Sequence, residues 1–161
     1  MMTTGMTTME IKKINKSKVY HLIYDSHTIS KQGIASALQM GMNTVTQNLK
    51  LLEEEGLIER NGYFESTGGR KAQAIRILPR ARISLGIEIL RKTLHIAAVD
   101  LYGCILEQES YPLPFHVSDA YCEKVGQKVN AFTEKYSLPR QQILGAAIAM
   151  QGLISTDGTS V

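Results

Sequence analysis

The stretch from Ser30 to Ile58, SKQGIASALQMGMNTVTQNLKLLEEEGLI, decides how the rest of the chain is read. Its pattern predicts two helices joined by a tight turn. Ile34, Ala35 and Leu38 fall on one face of the first, and Val45, Leu49 and Leu52 recur at three- and four-residue steps along the second. Met40 lies between the two runs, where it would plug the angle between them. Ser30 is placed to cap the first helix, since its hydroxyl can accept a bond from a free backbone N–H of the first turn. Gly56 is placed to end the second, where a left-handed residue is wanted.

Outside that apolar stripe, Met42, Asn43, Thr46, Gln47 and Lys50 lie on the exposed side of the second helix's first two turns. Asn and Gln can hydrogen-bond base edges, Thr can donate or accept, and Lys can meet a phosphate or a guanine. A recognition helix in a helix-turn-helix has this make-up. A short helical hairpin with a solvated polar face has it too, so these residues alone leave both readings open.

The segment that follows favours the first reading. Leu57 to Arg60 can start a strand, Asn61-Gly62 is a turn signal, and Ala72 to Ile77 reads as a returning strand with Ile75 and Ile77 on one side. Between them stands Ser66-Thr67-Gly68-Gly69-Arg70-Lys71. A glycine pair lets backbone approach a surface closely, and the adjoining cations suit a phosphate ridge or a narrow minor groove. Together these parts predict a winged helix-turn-helix. An ordinary flexible hairpin with a basic tip is the alternative.

Upstream, Ser17 to Asp25 is expected to form a helix with Val19, Leu22 and Ile23 facing inward, completing a three-helix core. Lys12, Lys13, Lys16 and Lys18 cluster before and at its start, where they could touch phosphates but would oppose the helix dipole, and a solvated arm is the expectation for them. The first nine residues carry little information and read as disordered.

Charge is unevenly spread. Up to Arg82 there are 12 Lys or Arg against 7 Asp or Glu, and from Ile83 onward 6 against 8. A basic first half beside a mildly acidic second half suggests that only the first half meets a polyanion. Cys104 and Cys122 make neither a disulfide framework nor a metal-ligand spacing, and are expected to be reduced in a cytoplasmic protein. No apolar run approaches the roughly eighteen residues that span a bilayer, and no apolar signal-peptide core precedes Ser17.

Leu78-Pro79-Arg80-Ala81-Arg82 marks a seam, because proline interrupts the strand pattern. Beyond it, Ser84 to Leu90 and Leu94 to Asp100 read as strands, with a turn at Leu101-Tyr102-Gly103. Cys104 to Tyr111 reads as an outer strand ended by Pro112 and Pro114. A helix from Ser118 to Tyr136 carries Val125, Val129 and Phe132 on one stripe, and Ile143 to Met150 reads as a buried parallel strand. Three strands, a helix and a returning strand predict a mixed sheet with the helix as crossover.

This order of parts resembles the repressors of the ROK family (repressor, open reading frame, kinase), in which a winged helix precedes a sugar-kinase-like domain of the actin and hexokinase superfamily. The most specific match is Glu65-Ser66-Thr67-Gly68-Gly69-Arg70, similar to the family's wing motif STGGR. Also similar are Asn15, Ile34-Ala35, Thr44-Val45-Thr46 in the recognition helix, and Gly56-Leu57-Ile58. The resemblance implies an α+β chain: a tail over 1–12, a winged helix-turn-helix over 13–78, a linker over 79–83, and a partial actin/hexokinase-like (ribonuclease H-like) α/β lobe with a mixed sheet over 84–161. Its implied DNA-binding residues are Met42, Asn43, Thr44, Thr46, Gln47, Lys50, Gly68, Gly69, Arg70 and Lys71.

Departures from the family pattern carry information as well. Gln39 stands where the turn often has glycine, Gly41 where serine usually caps the recognition helix, and Gly33 lies inside a helix, at up to about 1 kcal/mol against alanine. Leu85-Gly86-Ile87-Glu88-Ile89 and Val99-Asp100-Leu101-Tyr102-Gly103 match the opening and closing strands of the kinase-like domain. The kinases' Gly-Gly-Thr phosphate loop aligns with Leu90-Arg91-Lys92, whose side chains obstruct close backbone approach, so no ATP binding is expected. Met150-Gln151-Gly152 matches the loop before the family's sugar site, with Gln151 in place of proline. The family's sugar ligands and zinc motif lie further downstream than Val161, so a truncated gene product or a fragment, without sugar affinity, is expected.

The resemblance therefore implies a sequence-specific transcriptional regulator, a repressor of carbohydrate-utilisation genes that binds a double-stranded DNA operator; one such module is small, so a homodimer reading two half-sites is expected. No catalytic residue, cofactor or metal is expected. Two alternatives remain: a sugar-kinase-like enzyme with an added N-terminal domain, for which Asp100 and His95 are the tempting residues, and a winged-helix module that binds another protein.

Overall fold

The first helix, α1, runs Thr8–Ser26 in the computed structural model of the chain, which describes residues 7–65 and 71–152. Thr7 caps it. The Thr7 backbone N–H donates to the Glu10 carboxylate at 2.7 Å, and the Thr7 hydroxyl oxygen accepts from the Glu10 N–H at 3.2 Å, a capping box that satisfies donors of the first turn. This corrects the expectation of a tail through residue 12 and a helix beginning at Ser17. With that box in place and no Gly or Pro from Thr8 to Ser26, nothing interrupts the helix, so Lys12, Lys13 and Lys16 sit on it rather than on a solvated arm.

The chain divides into two compact units, Met1–Leu78 and Pro79–Val161. In the first, α1 is followed by a two-residue strand β1 (Ile29–Ser30), α2 (Lys31–Leu38), α3 (Met42–Glu54), β2 (Ile58–Tyr63) and β3 (Gln73–Ile77). The strands form an antiparallel sheet in the order β1-β3-β2. Val19 and Ile23 of α1, Ile34 of α2, Val45, Leu49 and Leu52 of α3, and Ile75 and Ile77 of β3 are buried together in this unit. Burying each such side chain contributes roughly 1.5–3 kcal/mol. β1 has no counterpart in the sequence reading, since two residues are too few to show a period.

Asn61-Gly62, read from sequence as the hairpin turn, lies inside β2. Arg60 pairs with Ile75 and Tyr63 with Gln73, so β2 carries one extra residue there. Gly62 takes φ +78°, the left-handed value that a bulge of this kind uses. The ladder resumes beyond it, where the Phe64 N–H donates to the Ala72 carbonyl at 2.9 Å. The strands are joined through residues 65–71, of which 66–70 lie outside the described residues.

In the second unit β4 (Ile83–Ile89), β5 (Thr93–Val99), β6 (Ile105–Pro112), α4 (Asp119–Lys135) and β7 (Ile143–Met150) follow in turn. The sheet order is β6-β5-β4-β7. β4 and β5 are antiparallel, as are β5 and β6, while β7 lies parallel to β4, so the sheet is mixed. Phe132 of α4 is buried with Leu85, Leu94, Ile96 and Ala98, and Val125 and Val129 pack beside it. Ser118 caps α4, its hydroxyl accepting from the Tyr121 N–H at 3.2 Å.

The expectation of a buried β7 is corrected. Leu144, Ile148 and Met150 are exposed, because β7 is an edge strand and α4 packs over β5 instead. Among the described residues no helix is long and apolar enough to cross a membrane.

Candidate nucleic-acid interface

Helix α3 is held by its apolar stripe. Val45, Leu49 and Leu52 are at most 1% exposed, and Asn48, also buried, turns its amide back to donate to the Thr44 carbonyl at 2.8 Å. An unpaired amide there would carry a desolvation cost, which this bond removes. The sequence reading did not single out Asn48.

The opposite face is polar and open. Met42, Asn43, Thr46, Gln47 and Lys50 are exposed, whereas Thr44 is half-buried. Gly41 precedes them at φ −60°, ψ 141° and supplies no side-chain cap. The first-turn N–H groups of α3 therefore lack the side-chain acceptor that a serine would provide.

Two of these side chains are engaged within the protein. The Thr46 hydroxyl donates to the Met42 carbonyl at 2.7 Å and accepts from Lys31 Nζ at 3.3 Å. What Thr46 leaves unengaged is its methyl group, a narrower offer than the donor-or-acceptor role read from sequence. Lys31, the first residue of α2, is the functional candidate that sequence reasoning missed; its signal is a cation at a helix start on the far side of the turn. Lys50 lies 3.7 Å from Glu54, one helical turn on. Asn43 and Gln47 thus remain as the amide side chains able to pair bidentately with a base edge.

Three consecutive glutamates, Glu53, Glu54 and Glu55, close α3, where the negative end of the helix dipole disfavours acidic residues. Each has a cation. Arg60 of β2 grips Glu53 with two nitrogens, Lys50 faces Glu54, and Lys16 of α1 pairs with Glu55. Exposed pairs of this kind contribute about 0–1 kcal/mol each, so the apolar stripe anchors α3 and the ion pairs offset charge. Arg60 also reaches Gln73, and Arg76 bridges across the hairpin to Glu59.

From the hairpin tip, Lys71 is exposed, while Gly68, Gly69 and Arg70 lie outside the described residues. Tyr63 and Phe64, which lead into the tip, are exposed aromatic residues.

In the second unit the residues considered for catalysis have structural partners. Asp100 accepts from the backbone N–H groups of Tyr102 and Cys104, both at 2.9 Å, and so ties the turn that Gly103 completes at φ +78°. His95 lies between hydroxyls, with Thr93 Oγ1 3.2 Å from one ring nitrogen and Ser110 Oγ 3.2 Å from the other. At Leu90-Arg91-Lys92 the chain makes a tight hairpin: the Leu90 N–H donates to the Thr93 carbonyl at 2.9 Å. The Arg91 and Lys92 carbonyls accept from Phe115 and Leu113, both at 3.1 Å.

No family model matches the chain. It is 28% identical over 151 residues to the DNA-binding transcriptional dual regulator NagC of Escherichia coli (strain K12), covering 94% of this chain and 37% of that protein. It is 21% identical over 147 residues to the xylose repressor of Bacillus subtilis (strain 168), covering 91% of this chain and 38% of that one. The chain thus spans somewhat over a third of the length of these curated relatives. Among solved structures, a ROK family transcriptional regulator described as a homolog of the E. coli MLC protein superposes with a TM-score of 0.64 at 21% identity. That match covers 91% of this chain and 37% of the other.

Proposed function

We infer that this chain is a transcriptional regulator of the ROK family, a sequence-specific DNA-binding repressor of carbohydrate-utilisation genes. The observation that carries this reading is the exposed row Asn43, Gln47 and Lys50 on α3, presented by a buried stripe on the other side of the same helix. The NagC and xylose-repressor relatives, regulators by name, support it.

In this reading α2 and α3 are the helix-turn-helix and the β2–β3 hairpin is the wing. Asn43 and Gln47 pair with base edges in the major groove, Met42 and the Thr46 methyl make apolar contacts there, and Lys50 meets backbone or guanine. Thr44 is a backbone contact at the helix start. Gly68, Gly69, Arg70 and Lys71 approach the flanking phosphates or minor groove. One such module is small, so useful affinity calls for a homodimer reading two half-sites. The second unit is a ribonuclease H-like lobe of the actin and hexokinase type. The tight Leu90–Thr93 hairpin and the structural roles of Asp100 and His95 support a chain that is not an enzyme. ATP turnover with any hexose in a coupled assay would overturn that part.

The test is a fluorescence anisotropy titration against a labelled pool of random duplexes at two salt concentrations, beside Gln47→Ala and Arg70→Ala. Binding is expected to weaken steeply as salt rises, and both substitutions are expected to reduce it. Binding to a protein partner with no DNA affinity at low salt would replace this reading with the protein-interaction one.

A further inference from the structure

One face of α1 changes character along its length. Lys12, Asn15 and Lys16 come first, at three- and four-residue spacing, and Val19 and Ile23 continue the same stripe into the core. Because the helix begins at Thr8, the polar part of this stripe is held rigidly beside α3. Lys12 and Asn15 line a groove of about 380 Å³ with Thr44, Gln47, Lys50 and Leu51.

Charge in and around that groove is selective. Glu54 also lines it but faces Lys50, and Glu55 is taken by Lys16. Lys12 is exposed and makes no ion pair among the described residues. A cation without a carboxylate, beside a half-buried amide and next to the open edge of α3, suits an anionic ridge running alongside that helix. The exposed Leu51 adds an apolar floor.

Resting on the DNA-binding reading, we propose that the α1–α3 groove is a second edge of the footprint. One phosphate strand flanking the major groove lies along it, with Lys12 neutralising a phosphate and the Asn15 amide donating to one. Such contacts set register and orientation and carry no sequence information.

The experiment measures the salt dependence of binding of the full chain to a duplex enriched from a random pool, for wild type, Lys12→Gln and Lys18→Gln. Lys18 is exposed on a different face of α1, so the second variant makes the same change in net charge away from the groove. Each phosphate contact contributes about 0.9 to the slope of log affinity against log salt, or about eightfold in affinity per tenfold change in salt. Lys12→Gln is expected to lose about one such contact, equally on enriched and random duplexes, with helicity by circular dichroism unchanged, while Lys18→Gln keeps most of the wild-type slope. If the wild type binds DNA and the two variants share one slope, the groove is not a phosphate contact, although the DNA-binding reading stands. A Lys12→Gln protein with altered base preference overturns the proposal as well. Should the wild type bind no duplex at low salt, the DNA-binding reading fails, and this inference with it.

Discussion

Gln39 ends α2 in the left-handed region, at φ 51°, ψ 39°, with an exposed side chain. A residue with a Cβ is strained there by roughly 1–2 kcal/mol, which glycine avoids. Gln39→Gly is therefore expected to stabilise the first unit by about 1 kcal/mol, read as a higher urea midpoint at unchanged m-value. Gly33 behaves in the opposite way. A Cβ built there meets Ile29 Cγ1 at 3.0 Å and Ser30 Oγ at 3.3 Å, so the glycine makes room for β1 and the cap at the start of α2. Gly33→Ala is expected to gain none of the ~1 kcal/mol that helix propensity offers, and to fall below wild type if Ile29 cannot shift. The same urea titration checks it, and a gain near 1 kcal/mol would show that Ile29 gives way freely.

At the scale of elements, α4 is fastened to the edge strand β6 by one carboxylate. Glu109 accepts from Lys135, from the Tyr111 hydroxyl and, at 2.7 Å, from the Tyr136 hydroxyl. The bond from Lys135, then those from Tyr111 and Tyr136, hold its pKa at about 2 against an ordinary 4.5. A depressed carboxylate pKa stabilises the fold above the unfolded value and loses that contribution as pH falls toward the folded one. The second unit is thus expected to lose stability between about pH 4.5 and pH 2. Glu109→Gln is expected to lower stability at pH 7 and flatten the profile in that window. Urea melts at several pH values measure both, and an unchanged acid slope in the variant would remove Glu109 as the cause. Likewise α1 owes its first turns to the Thr7–Glu10 box, and the placement of Lys12 beside α3 follows from that element's length.

At the scale of the whole molecule, the proposed DNA-binding function carries an expectation about assembly, because a module of this size is expected to work in pairs. Sedimentation velocity at micromolar to high micromolar concentration is expected to show a dimer, and a monomer throughout would count against paired half-sites. Much of the architecture was legible in the chain itself. The stripes Val45–Leu49–Leu52 and Val125–Val129–Phe132, the cap at Ser30 and the strands on either side of Arg91 are local patterns, set by helical and strand periods. The outward row of α3 followed by subtraction, since whatever a helix does not bury it presents. Tertiary structure alone decided the rest. Asn61-Gly62 became a bulge because the β2–β3 pairing runs on past it, and β7 became exposed because it pairs at the sheet edge while α4 settled over β5. Lys31 of α2 reached the Thr46 hydroxyl from across the turn, and Lys12 came to line a groove with Gln47. Each of these depends on which residues distant in the chain meet, and a period of two or 3.6 residues carries no information about that.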